Sequence, residues 1–350
     1  MTGSIPSGPR GEFEWIDRLV ELLGPAANVP GGGVAIGDDV AIVAGPGGET
    51  WAWTVDTLVE GVHFRFDWLE PEDVGHRALA ASLSDLAAAC AEPVGALVTV
   101  AGPRETAEAF LEDIYRGIAA LAGEAGCPIV GGDLARAAGP LHLGVTALGR
   151  CPSGAPPGRG GAKPGDGVWV TGRLGAPAAA LALLAAAGDP RSLAAARAHP
   201  AVRRLARPTP RLAEVAWLAA RSALHAMIDV SDGVSSDAAH VARRSGARIV
   251  LDVDRIPVHP AAEDAAARLG SVARDWALHG GEEFELLLAV PAGAIEPYVE
   301  AFEARFGIPL TRIGFVEAGR GLVRRDGRRE TPLPPGGWDH FRVARPEPSP

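Results

Sequence analysis

The sequence predicts an α/β protein of two domains, and three observations carry that prediction. Its 350 residues exceed what one small core serves. Short runs rich in Val, Ile and Leu alternate with stretches of helical period, the pattern of strands and helices taken in turn. Several of the apolar runs lead into acids, most plainly Ala226-Met227-Ile228-Asp229, which continues as Val230-Ser231-Asp232-Gly233 into a helix over 235–244 stopped by Gly246. A buried strand that delivers carboxylates just ahead of a helix N-terminus is a common setting for phosphate and metal chemistry. Ser231 and Asp232 would also serve as ordinary helix caps. What weighs against simple capping is that strand-then-acid recurs elsewhere in the chain.

Residues 1–11 are rich in Gly, Pro and Ser and are expected to be disordered. Phe13, Ile16, Leu19, Val20 and Leu23 predict an amphipathic helix over 12–23. The run Gly31-Gly32-Gly33 leads into Ile36-Gly37-Asp38-Asp39-Val40-Ala41. This matches neither GxGxxG nor GxxxxGK[ST], and Asp38-Asp39 reads as a turn between two strands. Residues 51–55 read as a strand ending in Asp56, with His63-Phe64 beyond it. Over 73–90 the apolar face Ala78, Leu79, Leu83, Leu86, Ala87 and Cys90 predicts a helix, with Glu72 and Asp73 at the end the macrodipole favours for acids. Asp85 falls inside that helix among apolar neighbours, a poor place for an acid unless it faces a site. A strand over 94–100, a helix over 106–126 and a strand over 128–130 ending in Gly131-Gly132-Asp133 follow, then a strand over 141–148.

The Pro/Gly-rich residues 151–165 read as a linker between an N-terminal domain, 12–150, and a C-terminal domain, 166–342. The second half has a strand from Val168, helices over 176–187 and 212–221, the Asp229 strand, a strand over 249–253 and a helix over 261–269. His279-Gly280-Gly281-Glu282 then reads as a turn feeding a buried strand that ends at Val290. Residues 343–350 are expected to be disordered.

Composition narrows the function. Hydrophobic residues make up 47% and charged residues 22%, a globular balance. A net charge of −10 argues against a nucleic-acid surface. The three cysteines, Cys90, Cys127 and Cys151, are widely spaced and form neither a zinc motif nor a disulfide framework, so a reduced cytoplasm is the expected setting. No signal core or membrane-length apolar run is visible.

Asp39, Asp56, Asp85, Asp133, Asp229 and Asp232 come from six places along the chain. If they converge they repel one another unless cations sit among them. Oxygen ligands without Cys or His select Mg2+ over zinc or copper. Mg2+ held by few carboxylates points to phosphoryl transfer from a nucleoside triphosphate. The sequence by itself leaves their convergence open.

Seven segments resemble the thiamine-monophosphate kinase family, in its order and spacing: Ile36-Gly37-Asp38-Asp39-Val40-Ala41, Thr54-Val55-Asp56-Thr57-Leu58-Val59-Glu60-Gly61-Val62-His63-Phe64, Leu83-Ser84-Asp85-Leu86-Ala87, Gly131-Gly132-Asp133, Gly161-Ala162-Lys163-Pro164-Gly165-Asp166, Ile228-Asp229-Val230-Ser231-Asp232-Gly233 and His279-Gly280-Gly281-Glu282. Single motifs also fit the wider aminoimidazole ribonucleotide synthetase superfamily. Asp56 with His63-Phe64, Gly281-Glu282 and the closing Trp338-Asp339-His340-Phe341 favours the kinase. The resemblance implies a two-domain α/β (α+β) protein that pairs through its N-terminal domains into a homodimer and binds ATP and several Mg2+ ions between its domains. By position it implies metal binding at Asp39, Thr54, Asp56, Asp85, Asp133, Asp229 and Asp232. ATP contacts fall on Tyr115, Gly132, Asp133, Arg159 and Ser231, and thiamine phosphate contacts on His63, Glu282 and Trp338. Val55, Leu134-Ala135 and Glu283-Phe284 depart from the family pattern, and the first two remove hydroxyls near the metals and nucleotide.

The expected function is therefore ATP-dependent phosphorylation of thiamine phosphate to thiamine diphosphate, by direct in-line transfer with Mg2+ and without a covalent nucleophile or general base. The rival readings are a sister synthetase that activates an amide or acyl oxygen and releases phosphate, and a non-catalytic nucleotide-binding regulatory module. Neither nucleic acid nor a membrane is an expected partner.

Overall fold

The computed structural model describes residues 11–29, 33–338 and 340–341, without the side chain of Pro46. The expectations of disorder at the two termini therefore lie outside the described residues, as do Gly31, Gly32 and Asp339 of the quoted motifs. The first half runs α1 (Glu12–Leu23), β1 (Ala41–Ala44), β2 (Thr50–Val59), α2 (Pro71–Ala88), β3 (Glu92–Gly102), α3 (Arg104–Ala125), β4 (Ile129–Arg136) and β5 (His142–Arg150). Its five strands form one sheet in the order β1-β2-β5-β3-β4, antiparallel except for the parallel β3/β4 pair.

The second half begins with β6 (Gly167–Thr171), α4 (Ala176–Ala186), α5 (Pro190–Arg197), α6 (Pro200–Ala206), α7 (Leu212–Ala219), β7 (Ala226–Asp229) and α8 (Val234–Ser245). It continues with β8 (Arg248–Asp252), α9 (Pro260–Leu269), α10 (Ala273–His279), β9 (Leu286–Val290), α11 (Val299–Phe306), β10 (Leu310–Glu317), β11 (Gly321–Asp326) and β12 (Arg329–Pro332). Seven strands form a second sheet, β12-β11-β8-β10-β6-β9-β7.

Helix α2 joins the two halves. It carries little amphipathic bias, and such a helix is stable only when enclosed. Val74, Ala78, Leu79, Leu83, Leu86 and Ala87 are all fully buried, against the first sheet, against α3 and against α6, α7 and β7 of the second half. The crossing with α3 is close: a Cβ at Gly75 would lie 1.9 Å from the Ile114 carbonyl oxygen, and one at Gly117 1.8 Å from that of Glu72. Leu184 of α4, Leu205 of α6 and Ala265 of α9 join the same apolar cluster as α2 and the first sheet, so one core crosses both halves.

Two strand ends differ from expectation. Asp56 lies inside β2, which runs on to Val59, and the strand from Ile129 continues through Gly131-Gly132-Asp133 to Arg136. In both cases pairing carries the strand on: β5 pairs with β2 from Trp51 to Val59, and β4 is held in register by β3. Local composition marks a polar or glycine residue as an end, but a ladder partner can override it. Among the described residues no strand precedes Asp38-Asp39; β1 follows them.

Candidate active site

The loop between β7 and α8 organises the site. Asp229 ends β7, and Gly233 enters α8 at φ +110, where a Cβ would stand 2.7 Å from the His279 carbonyl oxygen. The segment before β9 is stitched to this loop: Glu282 N donates to Ser231 O (2.7 Å), Phe284 N to Val230 O (2.9 Å) and Val230 N to Glu285 O (2.7 Å). Glu285 is held in turn by Arg211, Arg204 and Thr171. The C-terminal segment docks on the same loop. Gly336 N and Gly337 N donate to the hydroxyls of Ser235 and Ser236, and Trp338 N donates to Asp232 O. A Cβ at Gly337 would fall 2.0 Å from Asp232 O, so the backbone can approach only because no side chain intervenes.

Three of the six acids converge. One carboxylate oxygen from each of Asp39, Asp85 and Asp229 lies within 4.8 Å of the others. Hydroxyls orient two of them and their neighbour Asp56: Thr54 Oγ1 donates to Asp85 Oδ2, Ser84 Oγ to Asp229 Oδ2 (2.7 Å) and Ser82 Oγ to Asp56 Oδ2 (2.8 Å). Burial first, then the neighbouring charges, pushes Asp229 up to about 8, Asp56 up to about 6 and Asp85 well above the ordinary carboxylate range. Burial also raises Asp39, against the pull of Arg159, whose Nη2 and Nε stand 2.5 and 3.2 Å from its Oδ1. Buried carboxylates gathered this closely could hold a cation, which would offset both the desolvation and the repulsion. The donor set is all oxygen, which suits Mg2+. Arg159, expected on nucleotide phosphate, here pairs with Asp39, while its backbone N–H binds the Asp38 carboxylate.

Asp232 lies outside this trio and acts instead on Asp237, whose carboxyl it helps to raise after burial has done most of the work. Asp133 lies farther away. It pairs in register with Thr99, Thr99 with Gly144, and Gly144 with Thr57, so it shares the face of Thr57 and not that of Asp56. Three strand spacings put it about 14 Å from β2. Gly132 sits beside it on the edge strand, and Tyr115 is on α3, so these three do not join the acid trio within one chain. Val55 also points to the far face, 67% exposed, so its missing hydroxyl does not bear on Asp85 or Asp56.

The substrate-side residues form a second group. His63 Nδ1 accepts from Val59 N (2.9 Å), leaving its proton on Nε2. Burial lowers the His63 pKa, Glu282 opposes this, and His340 and Arg77 add to it. His340 stands between the expected partners, its ring 5.0 Å from His63 and 5.7 Å from Trp338, whose indole N–H donates to its Nδ1. Trp338 is 57% exposed; the backbone, not the indole, anchors this segment. Reading residue types alone misses Ser82, Arg77 and the role of His340. Their one local signal is polarity in an enclosed helix, for the first two, and a second aromatic beside Trp338.

Two family models match the chain: AIR synthase related protein, N-terminal domain, over residues 37–151, and the corresponding C-terminal domain over 163–327. The thiamine-monophosphate kinase of Salmonella typhimurium is 38% identical over 341 residues, 95% of this chain and 98% of the relative. The chain belongs to the thiamine-monophosphate kinase family. The kinase of Bacillus subtilis is 33% identical, covering 88% of this chain and 94% of the relative. Among solved structures, AaThiL complexed with AMPPCP and TMP gives a TM-score of 0.79 at 30% identity, covering 97% of this chain and 100% of that one. The thiamine-monophosphate kinase from Stenotrophomonas maltophilia K279a gives 0.69 at 35%, covering 89% and 96%. At 20% identity and a TM-score of 0.65, E. coli HypE, a hydrogenase maturation protein, covers 85% of this chain and 88% of its own and shares the fold alone. The two sheets are thus the two halves of the AIR-synthase-like α/β architecture, and the thiamine-monophosphate kinase family makes this chain a kinase. Among the described residues no helix is long and apolar enough to cross a membrane.

Proposed function

We propose that the protein phosphorylates thiamine phosphate to thiamine diphosphate with ATP, by in-line attack of a substrate phosphate oxygen on the γ-phosphorus and departure of ADP. The convergence of Asp39, Asp85 and Asp229 carries this reading, with the solved relative complexed with AMPPCP and TMP behind it. Bound there with help from Thr54 and Asp56, Mg2+ would neutralise the charge of the phosphates. The protein's own residues position and shield. A phosphate monoester is largely ionised near neutrality, so no strong base is required. Arg159, freed from Asp39 when cations take over its charge, is placed to bind nucleotide phosphate alongside the Ser231 loop. His63 Nε2–H, Glu282 and the exposed face of Trp338 hold the thiamine end, the indole lying over the cationic thiazolium.

The same reading includes a homodimer. Helix α2 is fully enclosed, so the surface that needs covering is the other face of the first sheet, where Trp53, Val55 and Leu97 are exposed. A second copy laid across that face would cover this exposed apolar area. The deciding experiment incubates the protein with thiamine phosphate, ATP and Mg2+ and follows ADP and thiamine diphosphate together. Equal yields support the kinase; free phosphate in place of thiamine diphosphate favours the sister synthetase; no ADP favours a binding module.

A further inference from the structure

We propose that Arg77 is a positioning residue that sets the thiamine end of the site by fixing Glu282 and the backbone at His63 in one geometry. This deepens the kinase reading and rests on it. Arg77 lies on α2 and is only 2% exposed, the largest of the fully buried side chains. Its Nη2 donates to Glu282 Oε2 at 2.7 Å and stands 3.5 Å from the carbonyl oxygen of His63, while Nη1 donates to the carbonyl of Leu205 on α6. Glu282 is its only ion-pair partner among the described residues.

Three observations favour positioning over simple glue. First, the guanidinium is poorly satisfied for a buried charge, since Nε has no hydrogen-bond partner. A buried pair with incomplete hydrogen bonding gives little net stability. Second, Glu282 stands at φ +64, a left-handed conformation that a non-glycine residue adopts only when its surroundings hold it there. Stitching at Ser231 fixes its backbone and Arg77 fixes its carboxylate. Third, Arg77 precedes Asp85 by eight residues on one helix, about 12 Å of axial rise. One rigid element therefore carries the clamp on Glu282 at one end and an acid of the trio at the other. It sets the distance between the ring end of the substrate and the transferring phosphate.

The test is a double-mutant cycle on steady-state kinetics with Arg77→Met, Glu282→Gln and the double variant. If Arg77 acts through Glu282, each single variant raises KM for thiamine phosphate with KM for ATP unchanged. The double variant then falls short of the product of the two effects by about tenfold. Arg77→Lys, a compact charge that can serve Glu282 or the two carbonyls but not all three, gives an intermediate KM. It replaces Arg77→Met in the cycle if that variant does not fold. Effects that multiply, or a drop in thermal stability with KM for thiamine phosphate unaltered, overturn the proposal and leave Arg77 as a tie between α2 and α6. A wild-type protein that neither binds nor phosphorylates thiamine phosphate overturns the kinase reading and this proposal together. Normal wild-type turnover with multiplicative variants overturns the role of Arg77 alone.

Discussion

Replacing Asp85 with Asn should move stability and activity in opposite directions. The Asp85 oxygen lies within 4.8 Å of both Asp39 and Asp229, with Asp56 beside them. Two ionised carboxylates at that distance repel by about 3 kcal/mol at an effective dielectric of about 20. Protons on the raised carboxyls already relieve part of this. The net gain on removing one charge is therefore on the order of 1–3 kcal/mol. Asn can still accept from Thr54 Oγ1, so the helix keeps its hydrogen bond. Without divalent cations Asp85→Asn should melt a few degrees above wild type. With Mg2+ the order should reverse. A ligand at about 100 times its Kd stabilises wild type by roughly 2.7 kcal/mol, and the variant has lost part of that site. Its kcat/KM should fall by about two orders of magnitude or more. The assays are thermal unfolding in chelator and in millimolar Mg2+, and coupled ADP release. Near-normal turnover at low Mg2+, or a lower melting temperature in chelator with an unchanged response to Mg2+, would refute the cation site.

Trp338→Ala should raise KM for thiamine phosphate about tenfold with KM for ATP unchanged, and Trp338→Phe should recover part of the loss; because the indole is more than half exposed, a large fall in melting temperature with both KM values intact would instead make it an anchor. Val55→Arg, on the uncovered sheet face, should give a monomer in sedimentation and lose turnover while keeping its fold, and an unchanged mass would move the dimer elsewhere. Glu283 predicts a pH effect. Its buried carboxyl, with Oε1 accepting from Gly175 N and Oε2 unpaired, is raised to about 8 by burial. Between the unfolded value of 4.5 and about 8 the folded state holds the extra proton, so stability falls as pH rises through that window. Glu283→Gln should match wild type near the bottom of the window and exceed it by a few kcal/mol at its top; equal pH dependence in denaturant titrations would show that Glu283 ionises freely.

Much of the architecture is legible in local pattern. The strand Ala226–Asp229, the helix after it and the Gly246 stop fall close to their expected places, as do α1, α2, α3 and β9. Asp85 is conspicuous because an acid in an enclosed helix contradicts the propensity of its position. Helices α5 and α6 are not anticipated, although Asp189-Pro190 with Ser192 carries the local signal of a capping box, which the structure forms. Strands β10–β12 also go unread: Thr311, Arg312 and Gly314 break the apolar run of β10, which lies between β6 and β8, and β11 and β12 are short and polar.

The sequence by itself determined the alternating strands and helices, the acid-bearing segments and the family they resemble, because each of these is written in neighbours a few residues apart. Tertiary structure alone decided which acids meet. Thr54 and Asp56 face α2 while Thr57 and the Asp133 in its row face away, and that depends on register across four strands. It also decided that Arg77 meets Glu282 across 205 positions and that His340 stands between His63 and Trp338. A buried charge is stable only beside its partner, and which partner that is depends on how distant elements pack, which no local window of sequence contains.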